Sequence, residues 1–348
     1  MTDTTANPGG ITDGIPVVDL AAPLADVGRA IDRACREVGF FCVIGHGVDP
    51  ALVPTLDRAA RDFFARPDAD KAHIAMRLGG PAWRGWFPLG GELTSGVPDH
   101  KEGLYFGREL PSDDPRVVAA TPLHGPNLFP TEPVALRGAV LDAIEALTGV
   151  GRRVLAAMAV GLGLAPDWFE RNLTADPTVL FRIFRYPPQP RDASDTWGVR
   201  EHTDYGLITV LAHDGTPGLQ VCAPDRSGRP EWLDVPTIEG AFVVNIGDML
   251  EKLTTGRWRS TPHRVRHHGI GADGRADHDR LSFPLFLDPS WDATVVPLPL
   301  DAATAGAPPA RGSARWDASD PLAWTGRYGD YLTAKVAKVF PELFSALG

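Results

Sequence analysis

VLFRIFRY, residues 179–186, opens the stretch that decides the fold. GLITVLA comes next at 206–212, then GLQVC at 218–222, AFVVNI at 241–246, HRVRHH at 263–268 and LSFPLFL at 281–287. Each run is short, rich in β-branched and aromatic residues, and bounded by Gly, Pro or Asp. Several such strands in series predict an antiparallel sandwich or barrel, with a jelly roll as one solution. No internal repeat is visible.

Outward from this stretch the pattern turns helical. On the N-terminal side, Ile15-Pro16-Val17-Val18-Asp19-Leu20 reads as a short extended segment, and Ala25 to Val38 carries apolar residues at helical spacing (Val27, Ile31, Ala34, Val38). Gly39 ends that helix. Phe40-Phe41-Cys42-Val43-Ile44 is then a continuous apolar run closed by Gly45-His46-Gly47, as a buried strand would be. Helical spacing resumes from Pro50 to Phe64, and its longest instance spans 134–163, ending at Gly161-Leu162-Gly163. Beyond the strands, 301–315 is rich in Ala, Gly and Pro and reads as a loop, and a last helix is expected from about Thr325 to Val339. The expected class is α+β, a β-core in the second half dressed by helices from the first half and the C-terminus.

The 348 residues suffice for one large domain or two small ones, and a hydrophobic share of 43% with 22% charged residues is ordinary for a globular chain. No stretch reaches the roughly 18–20 uncharged apolar residues of a membrane helix. The opening MTDTTANPGGITDG has neither the basic nor the apolar region of a signal peptide, and residues 1–14 are expected to be disordered. A net charge of −10 argues against general nucleic-acid binding. Cys35, Cys42 and Cys222 include no C-x-x-C spacing, which argues against zinc-finger and thiol-redox chemistry. Cys35 and Cys42, in apolar surroundings, read as buried thiols, in keeping with a reducing cytoplasm.

His202-Thr203-Asp204 is the first sign of chemistry. Residues i and i+2 of a strand face the same way, so this triplet offers two metal ligands on one side. A third ligand from a distant strand would complete a facial triad that leaves positions open for substrate and O2. Alone the triplet is weak, and a surface histidine at a strand start explains it as well. Its weight comes from three motifs downstream, in this order: Asn245-Ile246-Gly247-Asp248, then Ser260-Thr261-Pro262-His263-Arg264-Val265, then Arg280-Leu281-Ser282.

With those motifs the sequence resembles the isopenicillin N synthase-like branch of the Fe(II)/2-oxoglutarate oxygenases, whose pattern is H-x-D, a second His some fifty to sixty residues on, and R-x-S. The N-terminal half carries the same resemblance in Ile15 to Leu20 and Val38 to Val48, so the likeness spans roughly residues 15 to 290. It implies a double-stranded β-helix (jelly-roll) core, with residues 15–130 as the family's N-terminal module. Residues 131–348 would then hold the connecting helices, the core and a C-terminal helix, all packed as one unit. It further implies iron held by His202, Asp204 and His263, with 2-oxoglutarate and O2 as co-substrates. A dicarboxylic keto acid needs a cation at its far carboxylate, a task suited to the planar fork of an arginine. Arg280 takes that place in the resemblance, with Ser282 two residues on along the same strand face and Tyr186 beside them. Many plant members carry Asn two residues before that tyrosine, where this chain has Phe184. The segment 269–274 reads as a lengthened hairpin loop.

Competing readings of single residues stand beside these. His46 reads as structural and His213 as a turn residue, while His267 and His268 share the strand of His263. Arg280 on its own could be a surface ion pair with Asp277 or Asp279. The family's reaction is oxidative decarboxylation of 2-oxoglutarate to succinate and CO2, coupled to hydroxylation, desaturation or ring chemistry on a small metabolite, a pattern common in secondary metabolism. The alternatives are a 2-oxoglutarate-independent oxidase of the same fold, a non-catalytic metal-binding sensor, and a zinc hydrolase.

On the substrate side, WRGWFPLGGELTSGVPDHKEGLYFG at 83–107 gathers Trp83, Trp86, Phe87, Tyr105 and Phe106, which reads either as a structural loop over the core or as an aromatic pocket wall. Its E-x-T element resembles one in the bacterial branch that includes the ethylene-forming enzyme. That likeness implies Glu92, Thr94 and Arg182, with Trp86 and Phe87, as substrate contacts. Glu92 pointing into the pocket would favour a cationic or hydrogen-bond-donating substrate. Otherwise it serves its own loop or pairs with an arginine such as Arg84.

Overall fold

The computed structural model of the chain describes residues 10–94, 96–188, 197–225, 227–266, 279–300 and 320–340. The expectations about 269–274, 301–315, Asp277, His267 and His268 fall outside these. In chain order the strands are β1 (Ile11–Thr12), β2 (Ile15–Asp19), β3 (Phe40–Ile44), β4 (Gly85–Phe87), β5 (Leu93–Thr94), β6 (Val97–Pro98), β7 (Glu102–Gly107) and β8 (Pro177–Tyr186). They continue with β9 (Val199–His202), β10 (Ile208–His213), β11 (Leu219–Pro224), β12 (Pro230–Asp234), β13 (Phe242–Ile246), β14 (His263–Val265) and β15 (Arg280–Ser290).

A nine-stranded sheet runs β1-β2-β3-β13-β10-β15-β8-β7-β4, and a four-stranded sheet runs β12-β11-β14-β9. Four of the runs read from the second half, β8, β10, β13 and β15, are central strands of the large sheet, where burial on both faces explains why they do not alternate, while β11 and β14 are the central strands of the small one. Strands from the first half extend that sheet at both ends: β3 pairs with β13 and β7 pairs with β8. The N-terminal segment therefore does more than dress the core, because it completes it.

The helix expected at 134–163 forms as Ala135–Gly161. Its buried residues Leu136, Val140, Ala143, Leu147, Val150, Val154 and Met158 recur every three or four positions, the spacing of one helix face. It packs on the helices Leu24–Glu37 and Leu52–Phe64 and on β10 and β15. The last helix forms at Tyr328–Val339.

One expectation needs correcting. The lead-in was expected to be disordered through residue 14, but Ile11–Thr12 forms a strand antiparallel to β2. Asp13 and Gly14, both at positive φ, make the two-residue turn that an Asp-Gly pair favours. Residues 1–9 lie outside the described chain.

Candidate metal and co-substrate site

Between the two sheets lies a cavity of about 170 Å³ whose wall includes His202, Asp204, His263, Arg280, Ser282 and Tyr186. His202 ends β9 and stands directly opposite His263 on β14. Asp204 lies just past the end of β9, in the connection to β10, so the H-x-D triplet straddles a strand end instead of lying along one face. The donor atoms of all three nevertheless lie within 4.8 Å of one another. Asp204 Oδ1 is 3.9 Å from His202 Nε2 and 3.8 Å from His263 Nε2.

The atoms on the far side of each side chain explain this convergence. His202 Nδ1 lies 2.8 Å from the Arg200 carbonyl, and His263 Nδ1 lies 3.2 Å from the Thr261 carbonyl. A carbonyl only accepts, so each Nδ1 carries the proton and each Nε2 turns a lone pair inward. Burial pushes the His263 imidazolium down to about 4, helped by His202 alongside, and burial lowers His202 too. Both rings are neutral near pH 7, as metal ligands must be. Burial of Asp204 disfavours its charge, but the two imidazoles and the hydrogen bonds from Thr209 Oγ1 (2.5 Å) and Asn245 Nδ2 (2.7 Å) outweigh that, leaving it below its ordinary value. Both bonds fall on Oδ2, so Oδ1 stays free to face the histidines. Two neutral imidazoles and one carboxylate, each oriented by an outer hydrogen bond, fit a divalent iron.

Asn245, Gly247 and Asp248 give the Asn-Ile-Gly-Asp motif a physical sense. Asn245 holds Asp204, and the Asp248 N–H donates to the Asp204 carbonyl at 2.8 Å. A Cβ on Gly247 would fall 2.5 Å from the Gly206 carbonyl oxygen, so the segment behind Asp204 closes in only against glycine. The motif was legible before its role was, and Thr209 had no signal in the sequence.

Arg280 faces Tyr186 directly across β15 and β8, and its guanidinium lies 4.9 Å from the Tyr186 ring centre. Ser282 Oγ donates to Tyr186 Oη at 3.4 Å. Arg280 is buried; Nε donates to the Thr216 carbonyl at 3.3 Å and Nη1 has no partner. The ion-pair reading does not hold for Asp279, whose carboxylate takes Arg185 at 2.6 Å instead. A buried guanidinium N–H without an acceptor, on the wall of a cavity, is suited to pair with an incoming carboxylate.

The substrate-side residues sort into two groups. Glu92, Thr94 and Arg182 line the same cavity, whereas Trp86 and Phe87 are not among its lining residues. Trp86 Nε1 donates to Glu102 Oε2 at 2.9 Å, and Phe87 packs edge-on against Tyr105, Phe184 and Phe340 from behind. Glu92 accepts from Tyr105 Oη and pairs with Lys101, not with Arg84, which is spent on the carbonyls of Phe106 and Leu123. Sequence reasoning missed Lys101, and it missed Val336, Val339 and Phe340, which bring the end of the C-terminal helix into the cavity wall. His46 and His213 serve structure as expected: His46 Nε2 binds the Gly240 carbonyl, and His213 Nδ1 accepts from the Gly215 N–H.

Two facing, largely antiparallel sheets with a His-Asp-His cluster between them are the arrangement of a non-haem iron oxygenase of the jelly-roll class. Residues 15–132 match the family described as non-haem dioxygenase in morphine synthesis N-terminal, and residues 177–289 match the 2OG-Fe(II) oxygenase superfamily. The chain is 40% identical to a probable iron/ascorbate oxidoreductase of Dictyostelium discoideum, covering 91% of this chain and 90% of that one. It is 31% identical to a homoarginine-6-hydroxylase of Arabidopsis thaliana, again with 91% and 90% covered. The crystal structure of a 2OG-Fe(II) oxygenase family protein from Caulobacter crescentus superposes with a TM-score of 0.75 at 28% identity, covering 94% of this chain and 99% of that one. The chain belongs to the 2OG-Fe(II) oxygenase superfamily and is a 2-oxoglutarate-dependent dioxygenase acting on a small molecule, with Fe(II), 2-oxoglutarate and O2 as the family's requirements. Among the described residues no helix is long and apolar enough to cross a membrane.

Proposed function

We propose that His202, Asp204 and His263 hold the iron, that Arg280, Ser282 and Tyr186 hold 2-oxoglutarate, and that the enzyme hydroxylates a small metabolite. The observation that carries this reading is the convergence of two Nε2 lone pairs and Asp204 Oδ1 on one side of a cavity whose other side presents the unpartnered Arg280 Nη1. When bound, Fe(II) supplies O2 activation coupled to oxidative decarboxylation of 2-oxoglutarate to succinate and CO2. The chain's part is positional. Arg280 and Ser282 fix the distal end of the keto acid, the outer hydrogen bonds keep the ligands aimed, and Phe184, Phe286, Val336 and Phe340 keep water away from the substrate. Glu92, Thr94 and Arg182 are the substrate contacts. The homoarginine-6-hydroxylase relative, by its name, takes a substrate with a guanidinium cation, but Glu92 here already has Lys101 as its cation. The free thiols of Cys35, Cys42 and Cys222 support a cytoplasmic setting. The test is oxygen uptake by the Fe(II)-loaded protein: succinate should form in proportion to O2 consumed, and uptake that proceeds without 2-oxoglutarate would point to the oxidase of the same fold.

A further inference from the structure

The proposed substrate contacts belong to a charged cluster built around Lys101, a residue to which the reaction scheme gives no part. Lys101 lies in the turn between β6 and β7 with its side chain 3% exposed. Its Nζ is 2.8 Å from Asp99 Oδ2 and 2.9 Å from Glu92 Oε2, and it sits 4.7 Å above the Phe184 ring centre. Asp99 also accepts from Thr94 Oγ1 at 2.7 Å and from the Arg200 N–H at 3.3 Å, and Glu92 Oε1 accepts from Tyr105 Oη. Arg182 lies over the Tyr105 ring, 3.5 Å from its centre, and donates to the Phe106 carbonyl at 3.0 Å.

The charges in this wall cancel: Glu92 and Asp99 against Lys101 and Arg182. Burial works against the Lys101 ammonium, but Asp99 and Glu92 outweigh it and hold the amine well above its ordinary value, so the cation is permanent. One acceptor is left over. Glu92 Oε2 is close enough to Nζ for an ion pair but not aligned as a hydrogen bond, and it is buried with no hydrogen-bond donor. An ammonium or guanidinium placed there would meet Lys101 at short range with no carboxylate left to neutralise it. A carboxylate would face Glu92 and Asp99 in the same way. Either charge would enter a desolvated pocket unpaired, and burying an unpaired charge is costly. A neutral O–H or N–H satisfies the spare lone pair without disturbing the balance. Leu93, Val199, Leu219, Val265, Phe286 and Val339 add apolar surface to the cavity wall.

Resting on the site assignment above, we propose that Lys101 sets substrate charge: the enzyme takes an uncharged, mainly apolar small molecule that presents one neutral hydrogen-bond donor to Glu92. Lys101 occupies, from within the chain, the place a substrate cation would otherwise take.

The test uses the full chain loaded anaerobically with Fe(II) and 2-oxoglutarate, titrated calorimetrically with 1-hexanol, hexylammonium and hexanoate, probes alike in length and differing in charge. The wild type should bind hexanol about tenfold or more tighter than either ion. Lys101→Met removes the internal cation, so hexylammonium should gain about tenfold or more and overtake hexanol. Glu92→Gln removes one of the two carboxylates that exclude an anion and leaves Lys101 in place, so hexanoate should gain about tenfold or more while hexylammonium stays weak. It also covers the case of a Lys101→Met protein that does not fold, since a folded Glu92→Gln protein that keeps the wild-type order overturns the proposal. Hexylammonium binding as tightly as hexanol in the wild type overturns the proposal. So does a folded Lys101→Met protein that keeps the wild-type order, or a wild type that binds none of the three. Binding of 2-oxoglutarate, measured while loading, separates this failure from failure of the site assignment: if the keto acid does not bind, the assignment is wrong, and if it binds while the probe order fails, only the present proposal falls.

Discussion

The wall of the cavity that carries His202, His263, Arg280 and Tyr186 is made of paired strands, whereas the wall that carries Glu92, Lys101 and Phe340 is made of a small hairpin, a turn and a helix end. In the first, each functional side chain is placed by register: His263 opposite His202, and Arg280 opposite Tyr186. Ladder hydrogen bonds fix those pairings, so a ligand's position follows from its place in a strand. In the second, placement depends on side chains holding one another: Thr94 to Asp99, Lys101 to Asp99 and Glu92, Tyr105 to Glu92. On the proposed assignment, the chemistry common to the superfamily sits on the ladder and the selection of a substrate on the network.

The largest effect should come from breaking the ladder side at the metal. Removing Asp204 takes away the only charged ligand of the cluster and leaves Thr209 and Asn245 without their acceptor. Asp204→Ala should abolish Fe(II)-dependent succinate formation and iron binding, while circular dichroism stays native. Normal Fe(II) affinity in this variant would sink the ligand assignment.

Arg280 comes next. Truncating one partner of a buried charged pair typically costs about 2–5 kcal/mol. Arg280→Ala should therefore raise the KM for 2-oxoglutarate by tens-fold or more and leave Fe(II) affinity nearly unchanged. An unaltered KM would show that the unpartnered Nη1 serves something other than the co-substrate.

A smaller effect should come from loosening a ligand without removing it. Loss of an outer hydrogen-bond partner typically costs about 10–100-fold in metal affinity. Asn245→Ala should fall in that range, measured by competition with a chelator. An equal loss in 2-oxoglutarate affinity at saturating iron would mean that Asn245 shapes the pocket instead of aiming Asp204.

The same division explains how far the sequence could be read. Strands β8, β10, β13 and β15 announced themselves as short runs rich in β-branched and aromatic residues because most of their positions are buried on both faces, and the motif order placed His202, Asp204, His263 and Arg280 within that frame. Strand β12 did not, because Pro230–Asp234 is edge material, mostly exposed and bounded by proline. β7 escaped notice because its burial depends on pairing with β8, about seventy residues away in sequence, and Glu102 and Gly103 do not read as core. Glu92, Thr94 and Arg182 were singled out by the E-x-T likeness, and all three line the cavity. Lys101 was not, since nothing in Asp99-His100-Lys101 marks a buried lysine until the hairpin folds it back onto Glu92. In Trp83, Trp86 and Phe106 the aromatic density proved to be core, the plainer of the two readings.

The C-terminal helix is where the two kinds of wall join, and it offers the smallest and sharpest test. Tyr328 Oη donates to Asp288 on β15 at 2.5 Å, and Tyr331 Oη donates to Asp248 at 2.7 Å. These bonds hold the helix whose far end brings Val336, Val339 and Phe340 into the cavity. Burial raises Asp288 to about 7, against the hydrogen bonds from Tyr328 and Leu207, which pull the other way. The folded value lies above the unfolded one near 4, so the folded state binds the proton more tightly. That contribution to stability is fully present below about pH 4 and is lost as pH rises through about 7. Tyr328→Phe removes a bond to a neutral acid at pH 5 and to an anion at pH 8. A neutral hydrogen bond contributes about 1 kcal/mol and one to a charged group about 1.5–3 kcal/mol. The Tm deficit of Tyr328→Phe should therefore be small at pH 5 and larger at pH 8, and Asp288→Asn should erase that difference. A deficit equal at both pH values would mean that Asp288 does not change its charge between them, and that the bond pinning the helix is not pH-sensitive.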